Sequence, residues 1–86
     1  MDFEFLLKEQ QLQFQEEFAG LPDEELVIRF NKQVRCLGGN SLRRVFLLAL
    51  REELRHRSFD STIVFNKCGL RLHQKVKLEG SRLVYA

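Results

Sequence analysis

The feature that most constrains this chain is the stretch 41–57. Read as a helix, Leu42, Val45, Phe46, Leu47, Leu48, Ala49, Leu50 and Leu54 cover about 260° of its circumference, leaving only a narrow polar strip. A helix that apolar must be covered on several sides. With 86 residues in the chain, the cover has to come from the segments immediately before and after it. A chain of this length buries about 64% of its unfolded surface, enough for one core and no second one. The expectation is a single domain spanning 1–86 with little spare stability.

Two further helices supply part of the cover. Gly20-Leu21-Pro22 pairs a glycine suited to a left-handed helix end with a proline suited to a first turn. Gly38-Gly39-Asn40-Ser41 pairs a glycine stop with an N-capping residue. These signals delimit helices at about 2–19, 22–37 and 41–57, and such short connections make neighbours in sequence neighbours in space. In the second helix Leu26, Val27, Phe30, Val34 and Leu37 share an arc of about 100°, a clean amphipathic face. The first is less orderly. Phe3, Leu6, Leu7, Phe14 and Phe18 share about 120°, whereas Phe5 and Leu12 fall on nearly the opposite side. That second stripe either packs on the inner face of a C-terminal hairpin, with the other stripe on the second helix, or is left for a partner.

Beyond Arg57 the period changes from helical to two. Leu70, Leu72, Val76 and Leu78 alternate with Arg71, His73, Lys75 and Lys77, interrupted only at Gln74. Glu79-Gly80-Ser81-Arg82 reads as a two-residue type II′ turn with glycine first. The resulting hairpin, 70–79 with 82–86, sets Leu78 opposite Leu83, Val76 opposite Tyr85 and Glu79 opposite Arg82 as an ion pair. Residues 62–65 suit either a short third strand or a helical turn capped by Asp60 or Ser61. The fold class is therefore α+β: a three-helix bundle around the apolar third helix, with a C-terminal antiparallel hairpin or three-stranded sheet.

The net charge of +2 conceals a split. Residues 1–25 hold eight acidic side chains against Lys8 alone, and 26–86 hold thirteen Lys and Arg against four acids. An acidic arm beside a basic body points to nucleic acid or to a protein contact between unlike surfaces. Acids at helix N-termini, favoured by the macrodipole, account for part of the split but not for Glu9, Glu16 and Glu17. No apolar run is long enough for a membrane span, and the acidic N-terminus does not read as a signal peptide. Cys36 and Cys68 are too few for a disulfide scaffold and read as small core or half-buried residues of a cytoplasmic protein.

Chemistry-bearing motifs are missing. His56 and His73 have no neighbouring nucleophile, the cysteines lack metal-ligand spacing, and Gly38-Gly39 lacks the lysine of a phosphate loop. No catalytic residue, cofactor, metal or small-molecule substrate is expected. The order of elements superficially resembles a winged helix-turn-helix, which implies nucleic-acid contact through the third helix and the hairpin. Arg44, Arg51 and Arg55 on the polar strip, with Arg71, Lys75 and Lys77 on the strand, would carry it. Three features depart from that pattern. Leu42, Val45 and Phe46 occupy the recognition end, no strand fits between the first two helices, and the hairpin turn is a stub. The favoured expectation is a non-enzymatic protein-interaction module, a homodimer or a subunit of a larger assembly. Its contact surface is Phe5, Leu12, Glu9 and Glu16, with nucleic-acid binding as the alternative.

Overall fold

The computed structural model describes residues 3–36, 38–67 and 69–86. The expectations placed on Asp2, Leu37 and Cys68 lie outside these residues. Three helices, α1 (Phe3–Ala19), α2 (Asp23–Gln33) and α3 (Ser41–His56), precede a 3-10 turn (Thr62–Val64) and two strands, β1 (Val76–Glu79) and β2 (Arg82–Tyr85). The α+β architecture read from the pattern is present. One cluster of buried side chains joins all the elements: Phe18 from α1, Leu26 and Phe30 from α2, Leu50 and Leu54 from α3, Val64 from the turn, and Val76 and Leu83 from the strands. Among the described residues, no helix is long and apolar enough to cross a membrane.

α1 and α3 lie side by side in the same direction, with α2 as the return between them. Phe3 and Leu6 share a cleft with Leu42 at one end, and Ala19 shares one with His56 at the other. Between the ends the Phe46 ring stands edge-on to both Phe14 and Phe18, with centroids 5.1 and 5.2 Å away. Such geometry aligns ring edge with ring face and adds to the burial. A 3.0 Å salt bridge from Arg29 to Glu17 ties α2 to α1. The opposite side of α2 is tied to the hairpin. Asn31 Nδ2 donates to the Val76 carbonyl at 2.8 Å, and the Val76 amide donates back to Asn31 Oδ1 at 2.9 Å. One amide side chain thus satisfies the strand edge as a neighbouring strand would.

The helix ends differ from the expected ones in instructive ways. α2 stops at Gln33, because Arg35 takes the left-handed conformation (φ 62°) that had been assigned to glycine and donates its amide to the Leu72 carbonyl at 2.8 Å. A hydrogen bond to a residue far along the chain outweighs a local steric cost of this kind. Gly20 is not left-handed; α1 closes with tight bonds from Gly20 to Glu17 and from Leu21 to Phe18. Asn40 caps α3, its side chain accepting from the Arg43 amide at 3.0 Å.

The hairpin register is the expected one at every position, Val76↔Tyr85 through Glu79↔Arg82. Gly80 has φ 63° and Ser81 is not left-handed, as a type II′ turn requires. The strand is shorter than 70–79, however. Burial still alternates through Leu70 and Leu72, but the chain bends at His73 and Gln74, where the apolar alternation lapses. Tyr85, expected on the inner face, is exposed at its rim beside the His73 ring. Glu79 forms its ion pair with Lys77, at 3.8 Å on the same strand face, and not with Arg82. Residues 62–64 form the helical alternative and not a strand. Asp60, and not Ser61, caps them: its carboxylate accepts from the Thr62 amide at 2.9 Å and from the Thr62 hydroxyl. Asp60 also exchanges backbone bonds with Ser81 and Leu83, so the segment joins the sheet by a single bridge.

The most consequential difference concerns α3. Val45, Ala49, Leu50 and Leu54 are buried, yet Leu47 and Leu48 are only half-covered and Leu42 is exposed. With α2 ending early and committed to β1, α1 lines one flank of the N-terminal half of α3, and the other flank meets Gln33, the loop 38–40 and, across a cleft, Leu70 and Leu72. Extents of 45 × 27 × 21 Å and an exposed surface of 5,959 Å² follow. A monomer of this mass ordinarily exposes about 5,300 Å².

Candidate functional site

Two features have the character of a contact surface. The first is the outer face of α1. Phe5, Glu9, Leu12 and Glu16 follow one another at helical spacings of four, three and four, so all project within an arc of about 60°. All are exposed: Phe5 at 54%, Leu12 at 58%, and both glutamates without an ion pair or hydrogen bond among the described residues. The alternative home for Phe5 and Leu12, the hairpin's inner face, is occupied by α2 and the 3-10 turn instead. The inward stripe of α1 also loses cover toward its N-terminus. Phe18 is fully buried and Phe14 half-buried, but Phe3 and Leu6 remain exposed. Together with Leu42 they edge a cleft of about 360 Å³.

The second feature is a cleft of about 500 Å³ on the other flank of α3. Leu47 and Leu48 form its floor with Leu70 and Leu72, and the loop Gly38-Gly39-Asn40 closes one end. Arg43 and Arg44 stand at its rim, and none of the described lining residues is acidic. No α1 residue lines it.

The two rim arginines have different fates. Arg43 is fully engaged with the loop: Nε donates to Gln33 Oε1 at 3.2 Å, Nη1 to the Gly38 carbonyl at 2.8 Å and Nη2 to the Cys36 carbonyl at 3.1 Å. Its stem also passes so close to Gly39 that a Cβ there would lie 2.8 Å from Arg43 Cδ, at a φ of 135°. Glycine is needed for both reasons. Arg44 is exposed and has no side-chain partner among the described residues. Both sit in the first turn of α3, which contains no acid, where the helix dipole disfavours cations. That misplaced charge is the sequence signal that sets Arg43 and Arg44 apart from the other cations of the helix.

The basic strip expected along α3 is dismantled. Arg51 is half-buried; its Nε donates to the Gly69 carbonyl at 3.3 Å and its guanidinium lies 5.5 Å from the Phe65 ring centroid. Arg55 pairs with Glu52 at 3.5 Å. Arg71 and Lys75 are exposed, and Lys77, also exposed, pairs with Glu79. Of the cations expected to form the basic surface, Arg44, Arg71 and Lys75 thus have no side-chain partner among the described residues. Cys36, expected to be covered, is exposed, its thiol donating to the Lys32 carbonyl at 3.2 Å.

Arg57 is a structural centre that pattern reading did not single out. Nε donates to Glu53 at 2.7 Å, Nη1 to Asp23 at 2.8 Å, and Nη2 to the carbonyls of Phe18 and Leu21 at 2.8 and 2.7 Å. Burial works against its charge, but the bonds to Asp23 and Glu53 outweigh burial and hold its pKa above the ordinary arginine value. Asp60 shifts the other way: the hydrogen bonds from the Thr62 hydroxyl and amide, with a smaller contribution from Arg82, favour its ionised form. Compared with known proteins, the chain matches no family model, no curated protein and no solved structure.

Proposed function

We propose that this chain is a protein-interaction module that associates with a second copy of itself through the outer face of α1. The observation that carries this reading is the stripe Phe5-Glu9-Leu12-Glu16, exposed along a helix whose other side packs on α3 through Phe14 and Phe18. Single exposed hydrophobes are ordinary on a monomer. Here two large hydrophobics, Phe5 and Leu12, are exposed together on one helix face. Association would cover this surface and offset its exposure to water. Light scattering across a concentration series tests it. The wild-type chain is expected to exceed its monomer mass of 10.2 kDa at high micromolar concentration, and Leu12→Glu to return it to monomer. A wild type that stays monomeric there defeats the proposal.

A second reading, contact with a nucleic-acid backbone, draws on Arg44, Arg71 and Lys75, exposed and without a side-chain partner among the described residues. It predicts an affinity that falls steeply with salt and weakens on Arg71→Glu for every sequence tested. No mobility shift with duplex or single-stranded oligonucleotide at low salt removes it.

A further inference from the structure

The association proposed above has two possible geometries, and the chemistry of the surface distinguishes them. In one, α1 pairs with α1 of the second copy. That places Glu9 and Glu16 of both copies in one interface, where like charges brought together cost affinity. In the other, α1 enters a different surface whose chemistry is its complement. The leucine cleft has that chemistry. Its floor of Leu47, Leu48, Leu70 and Leu72 is apolar, its rim is cationic, and the described lining contains no acid.

We infer that the α1 stripe of one copy seats in the leucine cleft of a second copy, Phe5 and Leu12 on the leucines and Glu9 and Glu16 toward Arg44. This rests on the self-association reading and adds the receptor surface to it. Phe5 and Leu12 are seven residues apart, about 10.5 Å along the helix axis, with Glu9 between them. A cleft of about 500 Å³ lies in the range of sites that enclose a few side chains. Arg44 supplies the electrostatic half. It is a cation in the first turn of α3, set against the helix dipole and without a side-chain partner among the described residues. A glutamate arriving from outside relieves that repulsion and gains an ion pair in the same step. Within one chain α1 does not reach the leucine cleft: Phe14 and Phe18 hold its inner side against Phe46, and Leu12 and Glu16 border Glu52, Glu53 and His56 on another part of α3. It joins unlike surfaces. Two copies therefore either exchange α1 helices reciprocally about a twofold axis or add head to tail.

Complementation between variants tests this geometry and separates it from the reading beneath it. Leu12→Glu spoils the stripe and leaves the cleft; Arg44→Glu and Leu48→Ala spoil the cleft and leave the stripe. Arg44 is exposed and has no side-chain partner among the described residues, so its reversal is expected to leave the far-ultraviolet circular dichroism unchanged. Sedimentation equilibrium should show each variant associating at least about tenfold more weakly than wild type. An equimolar mixture of Leu12→Glu and Arg44→Glu should associate more strongly than either alone, since one intact stripe then meets one intact cleft. If the two cleft variants associate like wild type while Leu12→Glu does not, α1 pairs with α1; the inference falls and the proposed function stands. If Leu12→Glu associates like wild type, or wild type is monomeric, both fall. If an oligonucleotide, and not a second copy, is what Arg44→Glu ceases to bind, the cleft belongs to nucleic acid and the inference is overturned.

Discussion

The two ends of the α1/α3 pair are built from similar residues and come out as opposites. At the C-terminal end Phe18 is fully buried, and Arg57 gathers two carboxylates and two carbonyls around one guanidinium. At the N-terminal end Phe3, Leu6 and Leu42 are exposed, and Arg44 has no partner among the described residues. Phenylalanine, leucine and arginine occur at both. What differs is what the rest of the chain brings there. The α1–α2 junction crosses the C-terminal end and offers Asp23 and the Leu21 carbonyl, whereas α2 leaves the N-terminal end for the hairpin. An apolar or cationic side chain is structural where its own chain completes it, and available for a partner where it does not.

The comparison breaks most visibly if the closed end can be emptied without cost. Phe18→Ala removes a fully buried ring that touches Phe14 and Phe46, and is expected to lower unfolding free energy by about 3–5 kcal/mol. In a domain of marginal stability that approaches global unfolding, visible in a urea titration. A loss below about 1 kcal/mol would mean the aromatic trio is not the core it resembles. Next comes Arg57→Ala. It leaves Glu53, the more buried of its two carboxylate partners, without its cation, and is expected to cost about 3 kcal/mol. Arg57→Lys should recover only part of this, since a single ammonium cannot reach four acceptors set around a planar fork.

Neither Arg57 nor Arg43 was visible as a clamp in the sequence, and the reason is physical. Their acceptors are mostly main-chain carbonyls, which every residue has, lying up to 39 positions away. Composition and periodicity contain no trace of such a bond. The hairpin was legible because its information is local: a glycine in a two-residue turn and an alternation on either side fix the register together. The length of β1 was legible only in part, the lapse at Gln74 marking where pairing stops. The end of α2 was misjudged because Arg35 answers to Leu72, a tertiary partner. For the candidate site, the stripe on α1 could be read from helical angles alone. The cleft could not, since Leu48 and Leu70 are brought together by the path of the chain between them.

At the open end the same truncations should do little to stability. Phe3→Ser and Leu6→Ser remove exposed side chains, and urea midpoints are expected to move by no more than about 0.5 kcal/mol in unfolding free energy. Neither residue lies on the outer stripe of α1 or in the leucine cleft, so the association constant, measured by sedimentation, should also stay close to that of wild type. A large loss of stability on either change would mean that the N-terminal end is held by the fold after all, and the contrast between the ends would collapse.

The smallest expected effect asks whether exposure or partnership is the better criterion for an unfinished surface. Asp60 and Arg44 are both exposed charges, but Asp60 accepts two bonds from Thr62 and faces Arg82, whereas Arg44 has none. Hydrogen bonding holds the folded pKa of Asp60 below its unfolded value, about 3.9. The stability it contributes is therefore present above that value and lost as pH falls through the lower, folded one. Asp60→Asn should weaken the domain at pH 6, and the gap to wild type should narrow by pH 2.5, as read by urea midpoints at the two values. Arg44→Gln, which disturbs no partnership, should shift neither midpoint. If Arg44→Gln destabilises the isolated chain as much as Asp60→Asn does, Arg44 is engaged within the monomer. Its place at the rim of the leucine cleft would then be structural, and the two ends of the helix pair would differ in degree and not in kind.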